Sequence, residues 1–109
     1  MTPMTEEEIS LFHRHVCEGI GDPKRLMILY LVSDQARNVS DLTSLLDIAQ
    51  PTVSHHLRIL RERGLVTAER DGTSIYYALS DDRILGAIEI LRGFVADLLR
   101  ERASVVGGV

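Results

Sequence analysis

"QPTVSHHLRILRERGLV", residues 50–66, places Thr52, Ser54, His55, His56 and three arginines on the same short segment as Val53, Leu57 and Leu60. On an α-helix successive side chains step by about 100°. Val53, Leu57 and Leu60 then fall within about 60° of one another and make a single apolar stripe. His55, Arg58 and Glu62 lie opposite, flanked by Thr52, Ser54 and Ile59, and His56 falls near the edge of the stripe. Gly64 is the expected stop. The helix has one face made for burial and an opposite face rich in hydrogen-bonding groups.

The flanking sequence gives that helix a context. Ser40 is the expected cap of a short helix with Leu42, Leu45 and Leu46 inward, and Asp47 sits at the turn that follows. About three residues separate the two helices, the length of a helix-turn-helix connection. After Gly64 the period changes. Val66, Ala68 and Arg70 alternate, as do Ile75, Tyr77 and Leu79, with Asp71-Gly72 between them as a hairpin signal. A hairpin directly after a helix-turn-helix reads as a wing.

Upstream, Thr5 caps a first helix with acids in its first turn. Ile9, Phe12, Val16 and Ile20 line that helix, and Gly19 and Gly21 end it. Asp22-Pro23 opens a second helix with Leu26, Leu29 and Val32 inward, and "SDQARN" (residues 33–38) reads as a loop. Asp81-Asp82 caps a long last helix. Along it Ile84, Ile88, Leu91, Val95 and Leu98 recur at heptad-like spacing, widened by Leu85, Ile90, Phe94 and Leu99. The tail "VVGGV" at 105–109 is expected to fray. The whole predicts a mainly α chain with a small β-hairpin, a winged helix-turn-helix of order α-α-α-α-β-β-α. One domain spans residues 1–109 and dimerises through its first and last helices, whose apolar stripes are wider than a lone protomer needs.

Composition narrows the function classes. The chain has 109 residues, 45% of them hydrophobic, with no Trp, so its core must be Leu, Ile and Val. The formal net charge of −4 argues against an unspecific nucleic-acid glue but leaves room for a local basic patch. A single cysteine, Cys17, rules out an intrachain disulfide framework. No apolar run is long enough for a membrane span and no basic-then-apolar leader opens the chain. A cytoplasmic protein without membrane contact is expected.

Thr, Ser, His and Arg on an outward helix face can meet base edges and phosphates. Arg58, Arg61 and Arg63 supply local positive charge. In this context double-stranded DNA is the expected partner. The alternative is a winged helix used only for protein–protein contact, which has no need of that polar face. No nucleophile–base pair, phosphate loop or metal-ligand cluster stands out, so no enzyme, catalytic residue, metal or cofactor is expected.

Four stretches, "GDPKRLMILYLV", "VSDLTSLL", "QPTVSHHLRILRERGLV" and "RDGTSIYYAL", make the chain similar to the ArsR–SmtB winged-helix repressors. They cover most of residues 21–79. The resemblance implies a dimeric transcriptional repressor that leaves an inverted-repeat operator when an inducer binds. It implies that Gln50, Thr52, Ser54 and His55 face the major groove, with Arg58 adding positive charge beside them. It implies that Arg70, Asp71 and Gly72 form the wing near the minor groove. One position departs from the family pattern: Ala49 stands where Ser usually precedes Gln, which removes a cap and a phosphate contact.

The familiar sensing sites of that family are absent from the sequence. Asn38, Val39 and Ser40 stand where one metal-sensing class has Cys-Val-Cys. The four histidines are at 13, 15, 55 and 56, so none lies on the last helix, where a second class binds metal. Thiol-persulfide sensing needs two cysteines. His13 and Cys17, at i and i+4, are the remaining sensing candidates; alternatively Cys17 is a small buried residue beside Val16. His55 and His56 point about 100° apart and are poorly placed to chelate one ion. The inducer cannot be named from these residues.

Overall fold

The computed structural model describes residues 1–107, with side chains through Ala103. Its helices are α1 (residues 6–20), α2 (Pro23–Asp34), α3 (Val39–Leu46), α4 (Gln50–Glu62) and α5 (Asp82–Gly107); β1 (Val66–Asp71) and β2 (Ser74–Leu79) lie between α4 and α5. The order is the expected one. No described helix is long and apolar enough to cross a membrane.

The core forms where α2, α3 and α4 meet the base of the hairpin. Ile28, Leu29 and Val32 of α2, Leu42 of α3, and Val53, Leu57 and Leu60 of α4 are buried with Leu65 and Val66. Ile20, Leu46, Ile48, Tyr77, Leu79, Ile84 and Ile88 pack against that cluster. The α4 stripe is thus seated as its periodicity predicts. Two inward assignments change. Leu45 is exposed, because α3 turns only Leu42 fully inward. In α2 the buried side chains are Ile28, Leu29 and Val32, while Leu26 is only half-buried.

The cap of α3 also differs from the sequence expectation. Asn38, not Ser40, is the N-cap: its Oδ1 accepts from Asp41 N, and Asp41 Oδ2 accepts from Asn38 N, which closes a capping box. Asp47 ends the helix with φ 53°. Asn and Asp tolerate this left-handed geometry better than most residues.

Strands β1 and β2 are antiparallel, with Val66 opposite Leu79, Ala68 opposite Tyr77 and Asp71 opposite Ser74. Asp71 therefore belongs to the ladder, and the two-residue turn is Gly72-Thr73 rather than Asp71-Gly72. Gly72 has φ +65°, as the first central position of a II′ turn requires. Ser80 closes the base of the hairpin: its Oγ donates to Gly64 O at 2.6 Å and its N–H to Leu65 O.

Residues 33–38 do more than loop. Helix α2 runs on through Asp34, and Arg37 pairs with Tyr77 through N–H to carbonyl bonds of 3.0 and 2.8 Å. The Arg37 guanidinium folds back on Leu31 O and Asp34. A one-residue bridge leaves no periodic trace in the sequence, yet it ties the wing to the end of α2.

Helix α1 is not regular. A π turn occupies His13–Cys17, with Glu18 N–H bonded to His13 O, and such turns shift the faces of a helix. Ile9 and Phe12 of the expected stripe are exposed, while Val16 and Ile20 are half-buried. Gly19 is buried, and a Cβ there would lie 2.4 Å from Leu65 Cδ1. The end of α1 thus packs tightly on the α4–β1 junction. Of the tail expected to fray, residues 105–107 continue helix α5, and residues 108–109 lie outside the described residues.

The α4 wheel makes a paired prediction. Leu57→Ala should cost about 2–5 kcal/mol of stability, as a truncation of a side chain that is 1% exposed. Arg58→Ala, on the exposed face, should change stability by less than about 0.5 kcal/mol. Urea unfolding of both variants checks this, and equal losses would contradict the placement.

Candidate nucleic-acid interface

The outward face of α4 carries Gln50, Ser54, His55, Arg58, Arg61 and Glu62, all exposed; Thr52 is half-buried. His55 Nδ1 and the Arg58 guanidinium are 2.9 Å apart. One turn of the helix thus joins an imidazole and a cation side by side on the face away from the core. Both groups offer hydrogen-bond donors. Arg63 is not part of that face, because its guanidinium pairs with Glu18 of α1 at 2.9 Å.

The opposite edge of α4 has a different role. His56 is buried, and its Nδ1 lies 3.1 Å from the Arg25 guanidinium. Arg25 also donates to Gly19 O at 2.7 Å and Glu18 O at 3.1 Å. An arginine of α2 thereby holds the end of α1 and the middle of α4 together. His15 adds a second tie, its Nδ1 2.7 Å from Arg63 O. Burial lowers the His56 pKa below its ordinary 6.5, the neighbouring Arg25, His55 and Lys24 push the same way, and Asp22 opposes them. The neutral ring accepts from Arg25, which is the role the geometry needs. Sequence alone put His56 at a face edge but could not name Arg25, which carries no motif of its own.

At the wing, Arg70, Asp71 and Gly72 are all exposed at the tip of the hairpin. The tip is of mixed charge, with Glu69 beside Arg70. The structure therefore brings Gln50, Ser54, His55 and Arg58 onto one face, and sets Arg70 to Gly72 at the end of a separate arm.

The sensing candidates are not brought together as ligands. Cys17 is exposed rather than a small buried side chain. His13 faces Glu18, 3.7 Å away. Among the described residues no three His, Cys, Asp or Glu side chains cluster to hold a metal ion.

The model of the arsR family of bacterial regulatory proteins matches residues 22–68, which covers α2, α3, α4 and the start of β1. The arsenical resistance operon repressor of Bacillus subtilis is 33% identical over 85 residues, spanning 77% of this chain and 81% of that protein. The chain belongs to the arsR family. An uncharacterized HTH-type transcriptional regulator of Methanocaldococcus jannaschii is 39% identical over 77 residues, 70% of this chain and 86% of that protein.

Among solved structures, the homodimeric winged helix-turn-helix DNA-binding domain of Mb0332 from Mycobacterium bovis superposes with a TM-score of 0.72. Its sequence identity is 26%, and the match covers 89% of this chain and 91% of that one. NolR from Sinorhizobium fredii superposes with a TM-score of 0.73 at 29% identity, covering 86% and 96%. Within this arsR-family frame, Asn38 is committed to capping α3, and Ala49 gives α4 no side-chain cap. Both named relatives are regulators by name, one an HTH-type transcriptional regulator and the other an operon repressor.

The buried imidazole predicts a pH dependence. A histidine whose folded pKa is lowered contributes stability that is whole above its ordinary pKa of 6.5 and is lost as pH falls below it. Melting temperature should therefore fall between pH 7.5 and pH 5, and His56→Gln should flatten part of that fall. An identical slope in the variant would mean that other groups carry the dependence.

Proposed function

We propose that the chain is a homodimeric, sequence-specific DNA-binding repressor of transcription, working in the cytoplasm on an inverted-repeat operator and catalysing no reaction. The observation that carries the reading is the division of α4. Val53, Leu57 and Leu60 are buried, while Ser54, His55 and Arg58 stand exposed on the opposite face.

In this reading α4 enters the major groove. Gln50, at the helix start, and Ser54 and His55, further along, meet base edges. Thr52 contributes from the margin, since half of it is covered. Arg58 and Arg70 contact phosphates, and the end of the hairpin, from Arg70 through Asp71 to the Gly72 turn, approaches the minor groove beside α4. A net charge of −4 leaves affinity to these few cations, so the salt slope should be set by that small number of phosphate contacts. Repression, rather than activation, follows the B. subtilis arsenical resistance operon repressor; the HlyU relative of Vibrio cholerae, 32% identical, is named an activator.

Two apolar surfaces support the dimer. Helix α5 exposes Ile90, Leu91, Phe94, Val95 and Leu99, and α1 exposes Ile9, Leu11 and Phe12. Exposed apolar side chains concentrated on two helices in this way mark an interaction surface. The Mb0332 domain, homodimeric in solution, offers the precedent. In this account one winged-helix domain spans the chain and its terminal helices pair with those of a second copy. His13 and Cys17, both on α1 near that surface, are the candidate sensing groups.

Two measurements test the reading. Light scattering at micromolar concentration should give about twice the 12.2 kDa chain mass, and a stable monomer would contradict the dimer. Ser54→Ala or His55→Ala should cost about 1–3 kcal/mol on the preferred sequence and relax base preference. Arg70→Ala should weaken all sequences alike and lower the salt slope by about one. Altered base preference in Arg70→Ala would assign the wing a different role.

A further inference from the structure

We infer that Arg25 is a positioning residue that clamps α4 to the end of α1 through the ring of His56, and that acid opens this clamp and weakens the operator complex. The inference rests on the DNA-binding reading above and adds to it a response to protons. One guanidinium joins three helices. Arg25 of α2 donates through Nε to Gly19 O at 2.7 Å and through Nη2 to Glu18 O at 3.1 Å, both at the end of α1, and its Nη1 lies 3.1 Å from His56 Nδ1 in α4. A guanidinium has only hydrogens to offer. His56 Nδ1 must therefore accept, which fixes the ring as the neutral tautomer with its proton on Nε2. Protonation puts an N–H and a positive charge where Arg25 needs a lone pair, and repulsion between two cations replaces the contact. The other histidine tie behaves differently. His15 Nδ1 donates to a carbonyl, Arg63 O, and a charged ring can still do so.

The surroundings of His56 sharpen the response. The ring is 6% exposed, so its charge is screened poorly. It faces Asp22, Lys24 and Arg25 of α2 and His55 of α4, and of these only Asp22 favours a charged ring. The Asp22 carboxylate is engaged as the cap of α2, accepting from Lys24 N at 2.7 Å. Glu18 of α1 meets Arg25 with its main-chain carbonyl, while its carboxylate pairs with Arg63 at 2.9 Å. Burial holds the His56 pKa below its ordinary 6.5, so the clamp is closed at neutral pH and opens as pH falls below that value. Upstream of the clamp, α1 exposes Ile9, Leu11 and Phe12 to the proposed second copy. Arg25 thus stands between the surface by which two copies meet and the helix by which each reads DNA. With the clamp open, α4 keeps Val53, Leu57 and Leu60 in the core but loses its fixed placement on α1, and two copies of α4 lose the spacing that an inverted repeat demands.

Operator affinity measured between pH 7.5 and pH 5 at constant ionic strength tests the clamp. The readout is the ratio of affinities for a selected operator and an unrelated duplex, with circular dichroism showing that the fold holds at each pH. In the parent the ratio should fall about 5–150-fold in acid. His56→Asn places an amide oxygen near the position of Nδ1, so Arg25 keeps its acceptor and the ratio should stay level. His56→Gln, with its longer side chain, makes the same comparison if Asn underfills the site. Arg25→Lys keeps the charge but loses the fork, so its ratio should already be low at pH 7.5 and change little with acid. His55 is present in every variant, and its own charging contributes equally to each. Amide exchange at residues 18–20, corrected for the intrinsic effect of pH, should quicken in acid in the parent and not in His56→Asn. A level ratio in the parent, or an equal fall in His56→Asn and His56→Gln, would overturn the clamp and leave DNA binding intact. A parent chain that binds no duplex at any pH fails the DNA-binding reading and the proton response with it.

Discussion

Burial of Val53, Leu57 and Leu60 is the constraint from which the remainder of the structure follows. Those three side chains, with Leu42 of α3 and Ile28, Leu29 and Val32 of α2, make one cluster that a chain without tryptophan has few other ways to build. Fixing them fixes the rotation of α4 about its own axis. His55 and Arg58 must then point outward, and His56 must lie at the boundary. Core truncation in such clusters costs several kcal/mol, a large part of a small domain's total stability. The orientation of the polar face is thus held by a much stronger term than any contact that face makes itself.

A second, polar set of ties joins this core to the elements around it. Arg25 bonds Gly19 O, Glu18 O and His56, Glu18 pairs with Arg63, and Arg37 bridges to Tyr77. On the far side of α2, Tyr30 donates to Glu89 of α5, and Arg92 pairs with the same carboxylate. Helices α1 and α5 are therefore linked to the body that carries α4, while much of their apolar surface remains uncovered. A change in how two copies meet along those helices would be carried to α4 through these few contacts, without any need to unfold the core. In the proposed dimer the terminal helices set the distance between the two copies of α4.

What the sequence made legible depended on repetition. The α4 stripe, the alternation of Val66, Ala68 and Arg70, and the heptad-like run from Ile84 to Leu98 each repeat a signal several times, and each led to the right element. Single contacts were not legible in this way. The cap of α3 moved from Ser40 to Asn38 because either residue can cap, and only the backbone at Asn38 is extended. The hairpin turn moved one residue, from Asp71-Gly72 to Gly72-Thr73, because strand register is set by the whole ladder. The π turn at His13–Cys17 has no compositional mark and shifts which side of α1 each later residue faces. Cys17, Ile9 and Phe12 are all exposed within one protomer. The Arg25–His56 contact joins residues 31 apart in sequence, and nothing in either segment announces it. The outward polar set of α4 was readable because amphipathicity names both faces at once.

In the proposed reading one folded body presents α4 and two such bodies act together on DNA. Selection of bound duplex from a random pool tests it most directly. The account predicts an imperfect inverted repeat whose half-sites lie about one helical turn apart, roughly 34–36 Å between centres. An asymmetric single site, or a pool that stays random while the protein remains folded, would contradict it.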